Sequence, residues 1–103
     1  MMRNAEVNLH GVRTGVLTEL DDGRYRFQYD DRYSGDPVSL TMPVRLEPYE
    51  FTDFPPFFDG LLPERLMLDA LLRQLKIDRQ DRFAQLCAVG ADLVGAVTVE
   101  QIP

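Results

Sequence analysis

The chain has 103 residues, 45% of them hydrophobic and 10% aromatic, which is enough to build a core, and one domain spanning 1–103 is expected. Seventeen acidic against eleven basic residues give a formal net charge of −6, a field that repels phosphate backbones and anionic lipid and so disfavours direct binding of nucleic acid or a membrane surface. No stretch approaches the roughly 18 consecutive apolar residues of a membrane span, the start Met1 to Glu6 lacks the apolar segment of a secretory signal, and the single Cys87 cannot form an internal disulfide, so a cytoplasmic location is expected.

Strands come first. Val7 and Leu9 alternate with Glu6, Asn8 and His10, and Tyr25, Phe27 and Tyr29 alternate with Arg24, Arg26 and Gln28, giving each strand one apolar face. Between Val12–Leu20 and Tyr25–Tyr29 lies Asp21-Asp22-Gly23-Arg24, where Gly23 can take the positive φ of a tight hairpin. After the turn-forming Tyr33 to Pro37, Val38 to Met42 alternates again and predicts a further strand, at an edge because Pro43 interrupts it.

From Glu47 to Pro56 the chain shifts to proline, aromatic and acidic residues and reads as a loop. A helix is predicted from about Pro63 to Leu75: Pro63 suits a first turn, Glu64 its positive end, and Leu68, Leu71, Leu72 and Leu75 share one face. A second helix is predicted over Arg79 to Ala88, with Asp78 as N-cap, Phe83, Leu86 and Cys87 on one side and Gly90 as the stop. Gly95 to Ile102 reads as a closing strand that returns to the early sheet. The order implies an α+β domain, a small, mostly antiparallel sheet packed with two helices.

Reactive constellations are missing. His10 is the only histidine and reads as a strand surface residue, so no multi-histidine metal site can be built. Cys87 lies on the apolar side of a predicted helix without a basic partner, where a thiol acts as a small hydrophobe. The acidic pairs Asp21-Asp22, Asp30-Asp31 and Glu47/Glu50 suit turns and solvation, and the seven glycines never form a phosphate-cradling pattern. No catalytic, cofactor-binding or metal-binding residue is expected, and the chain is expected not to be an enzyme.

Two segments remain. In Phe57-Phe58-Asp59-Gly60-Leu61-Leu62-Pro63-Glu64, neighbouring apolar residues point in different directions, so either the domain's own core covers both sides or a partner covers one. Gly90-Ala91-Asp92-Leu93-Val94-Gly95 is a glycine-bracketed turn from helix to strand, in which Asp92 can bond turn amides.

The Phe-Phe-x-Gly-Leu-Leu-Pro-Glu run, the leucine helix after it, the Asp81-x-Phe83-x-x-Leu86 helix and the Gly90-x-Asp92-x-x-Gly95-Ala96-Val97 exit together resemble the N-terminal domain of HipA-type serine/threonine kinases, over nearly the whole chain. In that family the domain precedes the kinase core, whose catalytic and ATP-binding residues lie downstream of the matched region, so none can be carried over. HipA-type proteins are toxin kinases that phosphorylate an aminoacyl-tRNA synthetase. The resemblance implies the split HipBST arrangement, in which a small protein similar to this domain (HipS) is the antitoxin of a shortened kinase (HipT) and accompanies a DNA-binding HipB-like protein. On that reading Phe54, Phe57, Phe58, Leu61, Leu62 and Glu64 are the candidate interface to the kinase, while Pro63, Gly90, Asp92 and Gly95 are structural. A regulatory lobe that activates or positions a kinase supplied by another polypeptide is the competing expectation.

Overall fold

The computed structural model describes residues 2–63, 69–70, 73–93 and 95–103. Five strands form one antiparallel sheet: β1 (Arg3–Leu9), β2 (Val12–Glu19), β3 (Tyr25–Tyr29), β4 (Tyr49–Phe51) and β5 (Val97–Ile102), in the order β4-β3-β2-β1-β5. Two helices are resolved end to end, α1 (Pro56–Asp59) and α2 (Arg82–Val89), and a 3-10 turn over Gly90–Asp92 follows α2. The α+β architecture and the returning last strand agree with the sequence, β5 pairing along β1 from Leu9↔Val97 to Asn4↔Ile102.

Alternation sets the layers. Ala5 and Val7 of β1, Leu17 of β2, Phe27 and Tyr29 of β3, and Val97 and Val99 of β5 are buried on one face, and the register places Ala5 opposite Leu17 and Leu17 opposite Phe27. Phe58 of α1 and Phe83 and Leu86 of α2 close over that face, all with no exposed surface. The other face is polar: the Thr18 hydroxyl donates to Asn4 Oδ1 at 2.8 Å, and Arg13 pairs with both Glu6 and Asp30. Two hairpins connect the first three strands. Gly23 takes φ +88 in the second, as the sequence requires, and the first turns on His10 (φ +50) and Gly11 (φ +79), so His10 is an exposed turn residue and not a strand residue.

Other expectations change. Val38–Met42 is not a strand: Ser39 and Met42 close a tight turn through the Met42 N–H to the Ser39 carbonyl at 3.1 Å. The Tyr29 hydroxyl accepts from the Val38 N–H at 3.0 Å and donates to the Met42 carbonyl. Two of the backbone groups that a ladder could use, the Val38 N–H and the Met42 carbonyl, are thus engaged by one side chain. The edge strand is instead β4, inside the segment read as a loop, because the edge tolerates Pro48 just before it and Tyr49 and Phe51 can sit opposite Phe27 and Tyr25.

Helix α2 begins three residues later than predicted, with Asp81 as N-cap accepting from the Ala84 N–H at 3.1 Å. Asp78 makes a turn of its own, accepting from the Gln80 N–H at 2.8 Å. Of the helix predicted over Pro63 to Leu75, residues 69–70 and 73–75 are helical, Pro63 is not, and Leu68, Leu71 and Leu72 lie outside the described residues. Leu75 is exposed, and Lys76 at φ +57 has the left-handed backbone of a helix end.

Arg3 fastens the sheet to α2. Its guanidinium donates twice to Glu19, at 2.8 Å each, and twice to Asp81, at 3.1 and 2.8 Å, and lies 4.9 Å from the centre of the Phe83 ring. Those hydrogen bonds hold the Asp81 carboxyl below its ordinary range and keep Arg3 firmly protonated. Gly90 completes the joint by absence: a Cβ there would stand 1.8 Å from the Val99 carbonyl oxygen, so only glycine lets the end of α2 lie against β5. Among the described residues no helix is long and apolar enough to cross a membrane.

Candidate partner-binding surface

The segment singled out by sequence divides around α1. Pro56 opens the helix at a position where a missing N–H costs nothing, and Gly60 ends it, its N–H donating to the Pro56 carbonyl at 3.0 Å. Successive residues on so short a helix face about 100° apart, and the adjacent phenylalanines show the result. Phe58 is fully buried against Phe27, ring centres 5.6 Å apart, whereas Phe57 is only partly buried and meets Phe58 edge-on at 5.1 Å. Phe58 is therefore corrected from interface candidate to core residue.

Phe54, Leu61 and Leu62 are partly buried like Phe57, each packed against the core with the rest of its surface free. Phe54 stacks edge-on to Tyr25 at 5.2 Å. Glu64 lies outside the described residues. Of the structural positions, Pro63 is partly buried, Gly90 is the close-approach glycine, Gly95 takes φ +108, and the Asp92 backbone ends the 3-10 turn. Gly90 itself is in the right-handed region at φ −57, so it does not stop α2 by a left-handed cap; it permits contact with β5.

Two hollows flank α1. On one side Pro55, Pro56 and Phe57 join Met42, Tyr49 and Phe51 in a groove of about 310 Å³ with a mostly apolar lining. The tight turn beside it presents Leu40 with 96% of its surface exposed, although its neighbours Val38 and Met42 are buried at 7% and 3%. On the other side Asp59, Leu62, Asp69, Arg79, Arg82 and Gln85 line a polar cleft of about 430 Å³, crossed by the ion pairs Arg82–Asp59 and Arg79–Asp69.

Phe51 belongs to the aromatic-proline stretch that the sequence marks as a source of anchors, whereas Leu40, Met42 and Tyr49 were not expected at the surface. The alternation of Val38, Leu40 and Met42 pointed to a strand. Isolated exposed leucines are ordinary, but this one stands on the turn whose Thr41 and Met42 line an apolar groove together with partly buried aromatics, the kind of surface used for protein contact.

Reactive geometry is sparse by comparison. Burial pushes the Cys87 thiol up to about 11, away from a nucleophilic thiolate. Burial likewise raises the Tyr29 hydroxyl, which is committed to the 38–42 turn. Among the described residues no three His, Cys, Asp or Glu side chains are grouped to hold a metal.

Residues 5–100 match the sequence profile of the HipA N-terminal domain. The chain belongs to the HipA N-terminal domain family. A structure of the N-terminal domain of a HipA toxin superposes with a TM-score of 0.77 at 29% identity, covering 98% of this chain and 93% of that one. The HipA of Shewanella oneidensis MR-1, solved in a toxin–antitoxin complex with HipB and operator DNA, matches with a TM-score of 0.72 at 27% identity, over 96% of this chain and 23% of that one. Among curated relatives, an uncharacterised protein of Haemophilus influenzae is 31% identical over 98% of this chain and 94% of its own length. Y4dM of Sinorhizobium fredii, named as a candidate kinase, is 33% identical over 91% of this chain and a quarter of its own length.

Proposed function

We propose that this domain is the antitoxin of a tripartite toxin–antitoxin system, acting in the cytoplasm by binding and neutralising a HipA-like (HipT) serine/threonine kinase, with no catalysis of its own. A HipB-like protein carries the DNA contact of the complex, consistent with the net charge of −6 on this chain. The observation that carries the reading is the apolar patch of Leu40, the groove and Phe57 on a domain of this family. A family member of nearly the same length supports a free-standing module.

The mechanism is occlusion. The domain docks on the N-lobe of the kinase, where a fused copy would sit, and holds that lobe inactive. Neutralisation at cellular concentrations calls for nanomolar affinity, about −12 kcal/mol, and an interface of about 800 Å² per partner. The whole surface here is 6776 Å², so one face around α1 suffices. Phe57 and Leu62 are the anchors expected from α1 and its exit, joined by Leu40.

Coexpression with a HipA-like kinase that lacks this domain tests the proposal. Growth should be rescued by the unaltered chain and lost with Phe57→Ala, with Leu62→Ala weaker. Absence of association between the purified proteins overturns it. The relatives in which the domain is a quarter of a longer candidate kinase favour a second reading, a lobe that activates or positions the kinase. In that case the kinase is toxic only when this chain is present.

A further inference from the structure

The two edges of the sheet differ in what covers them. Strand β5 bonds β1 through alternate residues, and the hydrogen bond from the His10 N–H to the Ala96 carbonyl at 2.9 Å sets the phase. Val99 therefore turns its N–H and carbonyl outward, and Gly90 lies against that carbonyl. At the other edge, the bonds from the Leu20 N–H to the Arg24 carbonyl and from the Asp30 N–H to the Thr14 carbonyl, 2.8 Å each, fix the phase of β3. Tyr25 and Phe27 are left to bond β4 through Phe51 and Tyr49, so Glu50 between them directs its N–H and carbonyl away from the sheet. Among the described residues no hydrogen bond reaches either group.

This open edge adjoins the apolar groove. Tyr49 and Phe51, on either side of Glu50, line the groove with Met42, Pro55, Pro56 and Phe57. A strand added along β4 would exchange two main-chain bonds with Glu50, and its side chains on either side of that position would fall on the face of Tyr49 and Phe51. Charge specifies the rest. Residues 30–53 hold Asp30, Asp31, Asp36, Glu47, Glu50 and Asp53 against Arg32 and Arg45, four of the chain's six net negative charges. Glu47 and Asp53, each two residues from a groove-lining aromatic, form no ion pair among the described residues. Glu50 has Arg24 at 3.8 Å, and Asp22 holds that arginine closer, at 2.8 Å. Arg26 stands opposite Glu50 on β3, so a cation on the added strand would continue the alternation of sign across this face. A second copy pairing through its own β4 would instead set Glu50 against Glu50.

We propose that the edge of β4 receives an extended segment of a protein partner, paired antiparallel like every other strand of this sheet, with a lysine or arginine opposite Glu50 and apolar side chains at the two flanking positions, beside the groove. This rests on the reading of the domain as a partner-binding module and specifies the backbone conformation and charge of what it binds.

NMR titration of the full chain tests it, with acetyl-Lys-Val-Lys-Val-Lys-amide as the probe. The controls are the same residues in the order Val-Val-Lys-Lys-Lys, a Glu-Val-Glu-Val-Glu peptide, and the probe N-methylated at its central lysine. No kinase is present, so failure here leaves the antitoxin reading standing, and failure of a kinase to associate leaves this result standing. The probe is expected to shift the Glu50 amide proton downfield saturably, to slow its exchange with water, and to bind several-fold more tightly than each control. Glu50→Pro removes the outward N–H without breaking the bonds to β3 and should abolish the effect. Should that variant not fold, the N-methylated probe carries the same test on the unaltered chain, and Glu50→Lys should weaken the probe several-fold. The proposal is overturned by an unmoved Glu50 amide, even with shifts at Met42 and Phe57, or by any control binding as tightly as the probe. Glu50 shifts that grow with protein concentration alone, the mark of self-pairing, overturn it too.

Discussion

Helix α2 turns Phe83 and Leu86 into the core and is tied down at its start by Arg3 and at its end by the contact of Gly90 with β5. Helix α1 commits only Phe58 to the core, leaving Phe57 half free between an apolar groove and a polar cleft. The same kind of residue is thus used for stability on one helix and left for a partner on the other. What separates the two uses is not hydrophobicity but whether the fold supplies a second wall.

Substitutions can break this contrast. Phe83→Ala should cost about 3–5 kcal/mol, as for a large aromatic removed from a closed core, read from urea unfolding; a small loss would mean that α2 is not the stabilising helix. Tyr29→Phe should cost about 1–3 kcal/mol, because the Val38 N–H and Met42 carbonyl lose their shared partner, and it should raise hydrogen exchange at 38–42 above that of the sheet.

A pH arm sharpens the same side. Burial raises the folded pKa of Cys87 to about 11 from an ordinary 9.0, so its neutral form is favoured by the fold. That contribution is fully present below 9.0 and is lost as pH climbs toward about 11. Stability should fall by about 1–2 kcal/mol over that window, discounted for partial exposure, and Cys87→Ala should flatten the slope. The smallest effect is expected at the turn tip: Leu40→Ser should change stability by no more than about 0.5 kcal/mol, while weakening kinase association in pull-down or calorimetry. Equal losses of stability from Leu40→Ser and Phe83→Ala would erase the distinction between the two regions.

Much of the sheet was legible because its signal is local. Alternation located β1, β3 and β5, and Gly23 marked its hairpin, since period-two patterning and positive φ are properties of a few consecutive residues. The segment Val38–Met42 showed the same alternation and failed as a strand, because a tyrosine hydroxyl nine residues earlier in the chain captured its backbone. Conversely β4 carried no strand pattern beyond Tyr49 and Phe51 and formed because the free edge of β3 was available. Of the candidate surface, the segment from Phe54 to Leu62 was visible as surplus apolar residues. Which of two adjacent phenylalanines faced inward was not, and Leu40 carried no local mark.

The sequence by itself determined the strand faces, the returning C-terminal strand, the α+β class and the family, because each rests on the identity and spacing of nearby residues. Only the tertiary structure decided that Phe58 belongs to the core, that Asp81 rather than Asp78 caps α2, and that Gly90 is there for Val99. Each of those depends on what stands opposite a side chain or backbone atom across space.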